Sequence, residues 1–185
     1  HGLEIIARHL VSLGYDTLCL AHVSEALALV GAGVQARMLL LSATLPEHSE
    51  AIIACGCEPV VCTLDMVAAL ARAAERAGKQ ATVQLMVDTG MGRIGIQPAE
   101  VTGFLDRCRA YPAVRVRGLM SHFPCADEAD KALSHAGKEQ FRGVLDASRA
   151  YGIEVHHMAN SAAIFDLPGA GFDAVRPGIA IYGLP

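Results

Sequence analysis

Short apolar runs alternate with stretches of helical periodicity along almost the whole chain, and this rhythm constrains the fold more than any other feature. Candidate strands are Thr17–Val23, Arg37–Leu41, Glu58–Cys62, Ala81–Val87, Val114–Ser121, Glu154–Met158 and Asp173–Arg176. Helical patterns cover Leu3–Leu13, Glu25–Gly33, His48–Cys55, Leu64–Ala77, Pro98–Ala110 and Lys131–Tyr151, with Ser24 placed to cap the second of them. Strands that are apolar on both faces and joined through helices must run parallel, because a parallel connection needs a crossover. The pattern therefore predicts an α/β fold. Its seven strand units are one short of the eight that close a (β/α)8 barrel, and the chain opens on a helix. Two architectures satisfy this: an open doubly wound sheet, or a barrel whose first strand lies upstream of His1.

With 185 residues, 52% of them apolar, the chain can bury one substantial core, and no Pro/Ser-rich linker marks an internal boundary. Lys and Arg number 15 against 19 Asp and Glu, for a formal charge of −4. No basic surplus exists to track a nucleic-acid backbone. The apolar runs fall far short of the roughly 20 residues that span a bilayer, so no membrane span is predicted. His1 leads directly into an amphipathic helix without the charged region of a signal peptide. The six cysteines lack the spacing of a disulfide scaffold, which fits a reducing cytosol. Cys55-Gly56-Cys57, with Cys62 nearby, has no matching second half, and no metal site is predicted there.

In parallel α/β folds, chemistry collects where strands end. Here those ends carry Asp88, Thr89 and Arg93; Ser121 and His122; His156, His157, Asn160 and Ser161; and Arg176, Gly178 and Ile179. The segment "VDTGMGRIGI" places G-x-G-x-x-G at Gly90, Gly92 and Gly95. A dinucleotide loop needs its helix to begin within the glycines and an acid about 20 residues further on. Ile94 and Ile96 instead continue an extended pattern, the helix starts near Pro98, and Glu100 and Asp106 fall inside it. The spacing argues for a tight loop that either presents Arg93 to the site or leaves it solvated, with Asp88 as its brace or as a partner for Arg93. Asn160-Ser161 before a helical turn, together with Gly178-Ile179 after a proline, supplies the ingredients of a phosphate cup. Ser161 as a plain helix cap and Pro177-Gly178 as a plain turn is the alternative. His156 and His157, adjacent on a strand, must face opposite ways.

"VDTGMGRIGI", "GLMSHF", "HMANSAAIF" and "FDAVRPGIAIYGLP", in this order, closely resemble the alanine racemase family, and the likeness covers essentially the whole chain. His1-Gly2 is similar to the end of that family's K-A-N-A-Y-G-H-G segment. The resemblance implies an incomplete (β/α)8 barrel domain over residues 1–185, lacking its first strand and followed by an absent C-terminal β-domain. It also implies pyridoxal 5'-phosphate as cofactor, alanine as substrate, interconversion of the L and D forms for cell-wall precursor supply, and a cytoplasmic homodimer when full length. Ser161, Gly178 and Ile179 would hold the phosphate with Asn160 nearby, and His122 would stack on the pyridine ring. Arg176 would donate to the ring nitrogen and Arg93 to the phenolic oxygen. An arginine at the ring nitrogen donates a hydrogen bond without giving up its proton, which weakens the ring as an electron sink and disfavours side reactions such as transamination.

Three departures accompany the resemblance. The lysine that the family links to its cofactor lies upstream of His1 together with a neighbouring tyrosine, and Lys79, Lys131 and Lys138 sit in or beside helical patterns, where none can replace it. The opposing tyrosine belongs to the β-domain, so no catalytic residue is assigned within the chain. Met86 occupies a position where many members carry a lysine that braces the arginine at Arg93. Rival readings are another racemase of the same fold acting on serine, lysine or several amino acids, a non-catalytic barrel that binds the same cofactor, and a nicotinamide-dependent oxidoreductase. The 185 residues alone are expected to give no alanine racemisation when followed by polarimetry. Measurable turnover from the purified chain would contradict the assignment of both proton carriers to regions outside it.

Overall fold

The apolar runs form six strands in the computed structural model, which describes residues 2–184: β1 (Thr17–Leu20), β2 (Arg37–Leu40), β3 (Glu58–Val61), β4 (Ala81–Met86), β5 (Val114–Met120) and β6 (Val155–His157). Seven α-helices alternate with them: α1 (Leu3–Ser12), α2 (Val23–Gly31), α3 (Ser49–Cys55), α4 (Leu64–Ala77), α5 (Val101–Cys108), α6 (Ala132–Ser148) and α7 (Ser161–Asp166). The α/β class and the parallel strands are as expected. The chain forms two compact units, His1–Val83 with Ala110–Arg115, and Gln84–Arg109 with Val116–Pro185.

In the first unit β1 pairs with β2 and β2 with β3, both parallel, with Leu18 opposite Met38 and Leu40 opposite Pro59. Helix α4 shows how the sequence directs this packing. Thr63 caps it by accepting the Met66 amide, and Gly78 ends it in the left-handed conformation. Between these ends Met66, Val67, Leu70, Ala71 and Ala74 recur at helical spacing and are buried, while Arg72, Glu75 and Arg76 face outward. Leu70, Ile52, Leu40 and Leu29 are wholly buried. Each such side chain contributes about 2–3 kcal/mol relative to exposure. Helix α2 begins two residues earlier than the Ser24 cap predicts. Its N-cap is His22, because the Glu25 carboxylate reaches back to accept the amides of Ala21 and His22 at 2.8 and 2.9 Å.

In the second unit β5 pairs with β6 in parallel, Leu119 opposite His156 and Met120 opposite His157. The Val87 amide donates to the Met120 carbonyl at 2.8 Å, and the Ser121 amide to that of His157 at 3.2 Å. The strand ends are thereby drawn level. Leu85, Val87, Leu119, Phe141 and Met158 form the buried centre, and Phe141 meets Phe172 edge to face at 5.1 Å.

The strand expected over Asp173–Arg176 is not formed. Ala174 makes a single parallel bridge to His157, flanked by two bonds, Asp173 amide to His156 carbonyl and Arg176 amide to Ala159 carbonyl, both 2.9 Å. Phe172 at positive φ (51°) turns the chain on one side, and Pro177, which lacks an amide hydrogen, ends pairing on the other. The segment nevertheless runs beside β6, which carries Arg176 to its place.

The glycine loop after β4 folds back on its own strand. Val87 bridges Ile96, the Asp88 amide donates to the Ile96 carbonyl at 2.9 Å, and the Ile96 amide donates to the Met86 carbonyl at 3.0 Å. A Cβ on Gly95 would lie 2.6 Å from the Asp88 nitrogen, and Gly95 adopts φ of 127°. Gly95→Ala is therefore expected to cost ~2 kcal/mol or more, measured as a lowered urea midpoint. A midpoint equal to that of the parent would show that the loop does not hold this close return.

Candidate functional site

Three of the polar residues expected at strand ends, Ser121, His122 and His157, meet Arg176 in the second unit. Its guanidinium is buried. Nη2 donates to the carbonyls of Ser121 at 2.7 Å and Met158 at 3.1 Å, and contacts His122 Nδ1 at 3.3 Å. Nη1 lies 2.6 Å from His157 Nδ1, and His157 Nε2 lies 3.3 Å from the Gln84 Oε1. A guanidinium only donates, so both imidazoles accept through Nδ1 and carry their hydrogen on Nε2. His157 donates that hydrogen to the Gln84 Oε1. Burial, reinforced by the Arg176 charge, lowers the His157 pKa to about 3. His122 is lowered to about 4, first by burial, then by Arg176 and then by Arg93. Both rings are neutral near pH 7.

The residues expected to form a phosphate cup lie at the start of α7 and after Pro177. Asn160 caps α7, its side-chain oxygen accepting the Ala163 amide at 3.0 Å. Ser161 is thus the first helical residue, and its hydroxyl accepts the amides of Gly178 at 2.8 Å and Ala180 at 3.3 Å. Two main-chain N–H groups and a buried hydroxyl converge there. Ile179 opens a short 3-10 helix, Ile179–Tyr182, with its side chain exposed.

Arg93 is exposed and makes no hydrogen bond among the described residues, but its charge acts on His122. Asp88 braces the loop rather than the arginine. Its Oδ1 accepts the amides of Gly90 and Gly92, both at 3.0 Å, and Oδ2 accepts that of Gly92 at 3.1 Å. Those amides are the ones a dinucleotide pyrophosphate would need, and α5 begins only at Val101 after a 3-10 turn at Pro98–Glu100. Met86 is buried. Thr89 and Ser121 share a buried hydroxyl–hydroxyl bond of 2.7 Å that ties the ends of β4 and β5.

His156 and His157 face opposite ways as expected. His156 sits 2.7 Å from an Asp173 carboxylate oxygen near the surface, and His157 is buried. The support that His157 and Gln84 give to Arg176 was missed from sequence. Gln84, a long polar side chain within the run "ATVQLMV", was the available signal. Gly118 is required beside it, because a Cβ there would come within 1.8 Å of the Gln84 side-chain oxygen.

Over residues 1–185 the chain matches the family described as alanine racemase, N-terminal domain. The chain belongs to this family. It is 39% identical over 186 residues to the alanine racemase of Syntrophobacter fumaroxidans and 36% identical over 186 residues to that of Halothermothrix orenii, covering all of this chain and 50% and 49% of those proteins. Among solved structures, alanine racemase of Clostridium difficile 630 superposes with a TM-score of 0.96 at 30% identity, covering 100% of this chain and 49% of that one. The enzyme from a D-cycloserine-producing Streptomyces lavendulae gives 0.93 at 35%, covering 100% and 50%. The Bacillus anthracis enzyme with bound L-Ala-P gives 0.91 at 30%, covering 100% and 48%. The chain spans about half the length of the relatives it matches.

The neutral histidines give this racemase-family site a pH signature. Both have folded-state pKa values below the ordinary histidine value of 6.5, so the unfolded chain binds more protons between that value and about pH 4. Stability is expected to be level above pH 6.5 and to fall as pH drops below it, with a limiting slope of about 1.4 kcal/mol per pH unit for each fully protected ring. Urea midpoints at stepped pH check this, and His157→Gln should reduce the slope. A midpoint that does not change between pH 7 and pH 4.5 would contradict neutral, enclosed imidazoles.

Proposed function

We propose that this chain is the cofactor-binding part of a pyridoxal-phosphate-dependent alanine racemase that interconverts L- and D-alanine for cell-wall precursor supply. The observation that carries the proposal is the convergence, in one unit, of the Ser161 cup with Arg176 and His122. The strand succession and the isolated pairing at Ala174 support a (β/α)8 barrel whose first strand is supplied from outside these residues. The names of the relatives support alanine over serine or lysine as substrate. The complete protein is proposed to act as a cytoplasmic homodimer; no helix among the described residues is long and apolar enough to cross a membrane.

The residues present fit pyridoxal phosphate. A hydroxyl and main-chain amides at Ser161, Gly178 and Ile179, with Asn160 fixing the start of α7, suit a phosphate. Neutral His122 suits the face of a ring, and cationic Arg176 and Arg93 suit acceptor atoms at its edge. When bound, the cofactor supplies an electron-withdrawing ring system that acidifies the substrate Cα–H. Arg176 keeps its proton under all ordinary conditions, so it would donate a hydrogen bond to a ring nitrogen without protonating it. His157, itself held by Gln84, limits Arg176 to one orientation. His122 cannot take a proton near neutral pH and so does not compete as a base. The proton carriers at Cα are assigned to the family's lysine and tyrosine, outside this chain.

In the full-length protein, Ser161→Ala is expected to weaken pyridoxal-phosphate binding about tenfold, equivalent to roughly 1.4 kcal/mol, followed by absorbance titration. Arg176→Ala should weaken it further. Unchanged affinity in both variants would contradict the proposed cup and ring contact, and a racemisation panel of alanine, serine and lysine discriminates the substrate.

A further inference from the structure

Outside this site, Cys55 and Cys57 bring two thiols together in the first unit. Cys55 is the last residue of α3, and Gly56 follows with φ 69° and ψ 27°. That left-handed step is open to glycine at little cost. It reverses the chain so that the Cys57 amide donates to the Ile52 carbonyl at 3.2 Å. The two side chains are thereby placed on the same side of the turn, with sulfurs 3.0 Å apart. A disulfide needs about 2.0 Å, so closure asks for roughly 1 Å of movement at a helix end. Cys55 is partly accessible, whereas Cys57 is buried.

We propose that Cys55 and Cys57 are a redox-active dithiol which low-molecular-weight disulfides close to an intramolecular disulfide. Accessibility orders the steps. The Cys55 thiolate attacks one sulfur of the added disulfide RSSR, forming a mixed disulfide at Cys55 and releasing RS⁻. Cys57 then loses its proton to solvent and its sulfur attacks Cys55 Sγ, expelling the second RS⁻. Two protein thiols are oxidised, RSSR is reduced to two RSH, and the two protons lost by the protein are those the released thiolates take up.

The surroundings favour Cys55 as the attacking group. Its pKa is lowered to about 7 by a hydrogen bond from the Cys57 thiol, by main-chain amides of Cys57 and Cys55, and by the Lys79 ammonium, with burial opposing. Lys79 is anchored close by, donating to the Ile53 carbonyl at 3.2 Å. Cys57 is shifted upward by the hydrogen bond to Cys55 and by burial, which keeps it protonated until the second step. A ring closed between residues two apart is strained, and strained disulfides are the reducible ones.

The test treats the protein with oxidised glutathione, alkylates remaining thiols and fragments the tryptic peptide Met38–Arg72, which contains Cys55, Cys57 and Cys62. The expected result is alkylation at Cys62 alone, a loss of two hydrogens across Cys55–Cys57, and full recovery of both thiols with dithiothreitol. Closure should proceed about tenfold faster than glutathionylation of Cys62. Cys57→Ala should trap glutathione on Cys55, and Cys55→Ala should leave Cys57 unmodified. Alkylation of Cys55 and Cys57 in the treated parent, a persistent mixed disulfide at Cys55 in the parent, or glutathione on Cys57 in Cys55→Ala would each overturn the proposal.

Discussion

A buried guanidinium must place its donors on acceptors, and the site in this chain is organised by how Arg176 meets that requirement. Its partners come from the ends of β5 and β6 and from the segments that follow them: the carbonyls of Ser121 and Met158 and the Nδ1 atoms of His122 and His157. Leaving such a group unsatisfied costs more than any single bond to it contributes. The strand ends therefore cannot shift relative to one another without exposing the cost of an unpaired cation. The same constraint selects the histidine tautomers, since a donor on one side of an imidazole dictates an acceptor there. It also carries the following chain past Ser161, where the Gly178 and Ala180 amides find their acceptor.

The glycine loop contributes in a different way. Its amides are turned inward onto Asp88 and its last glycine lets the strand return against itself. The loop is a rigid bracket that holds Arg93 out, close enough for its charge to act on His122. Together with Arg176 it makes the surroundings of His122 cationic, which adds to burial in opposing a protonated imidazole.

Periodicity alone located six of the strands and every helix of more than two turns, because buried strands and amphipathic helices are written in local apolar spacing. It failed where local pattern and tertiary pairing diverge. Asp173–Arg176 has a strand-like composition, yet Phe172 and Pro177 leave it room for a single bridge. The α2 cap moved to His22, whose amide is accepted by the Glu25 carboxylate three residues on. Ser161, Gly178 and Arg176 were readable as residue types at strand ends, and the family resemblance implied roles for them. Gln84 and His157 were not assigned as supports, since a polar residue in a buried strand shows its purpose only when the partner strand delivers the group it must satisfy.

The account depends on Arg176 being held as a donor by two neutral imidazoles. Nitrogen-15 spectroscopy of the histidine rings at pH 7 reads this directly, with His157→Gln identifying one signal. Two rings protonated only at Nε2, with Nδ1 shifted as a hydrogen-bond acceptor, are predicted for His122 and His157. Signals from doubly protonated rings, or from rings carrying the hydrogen on Nδ1, would contradict it.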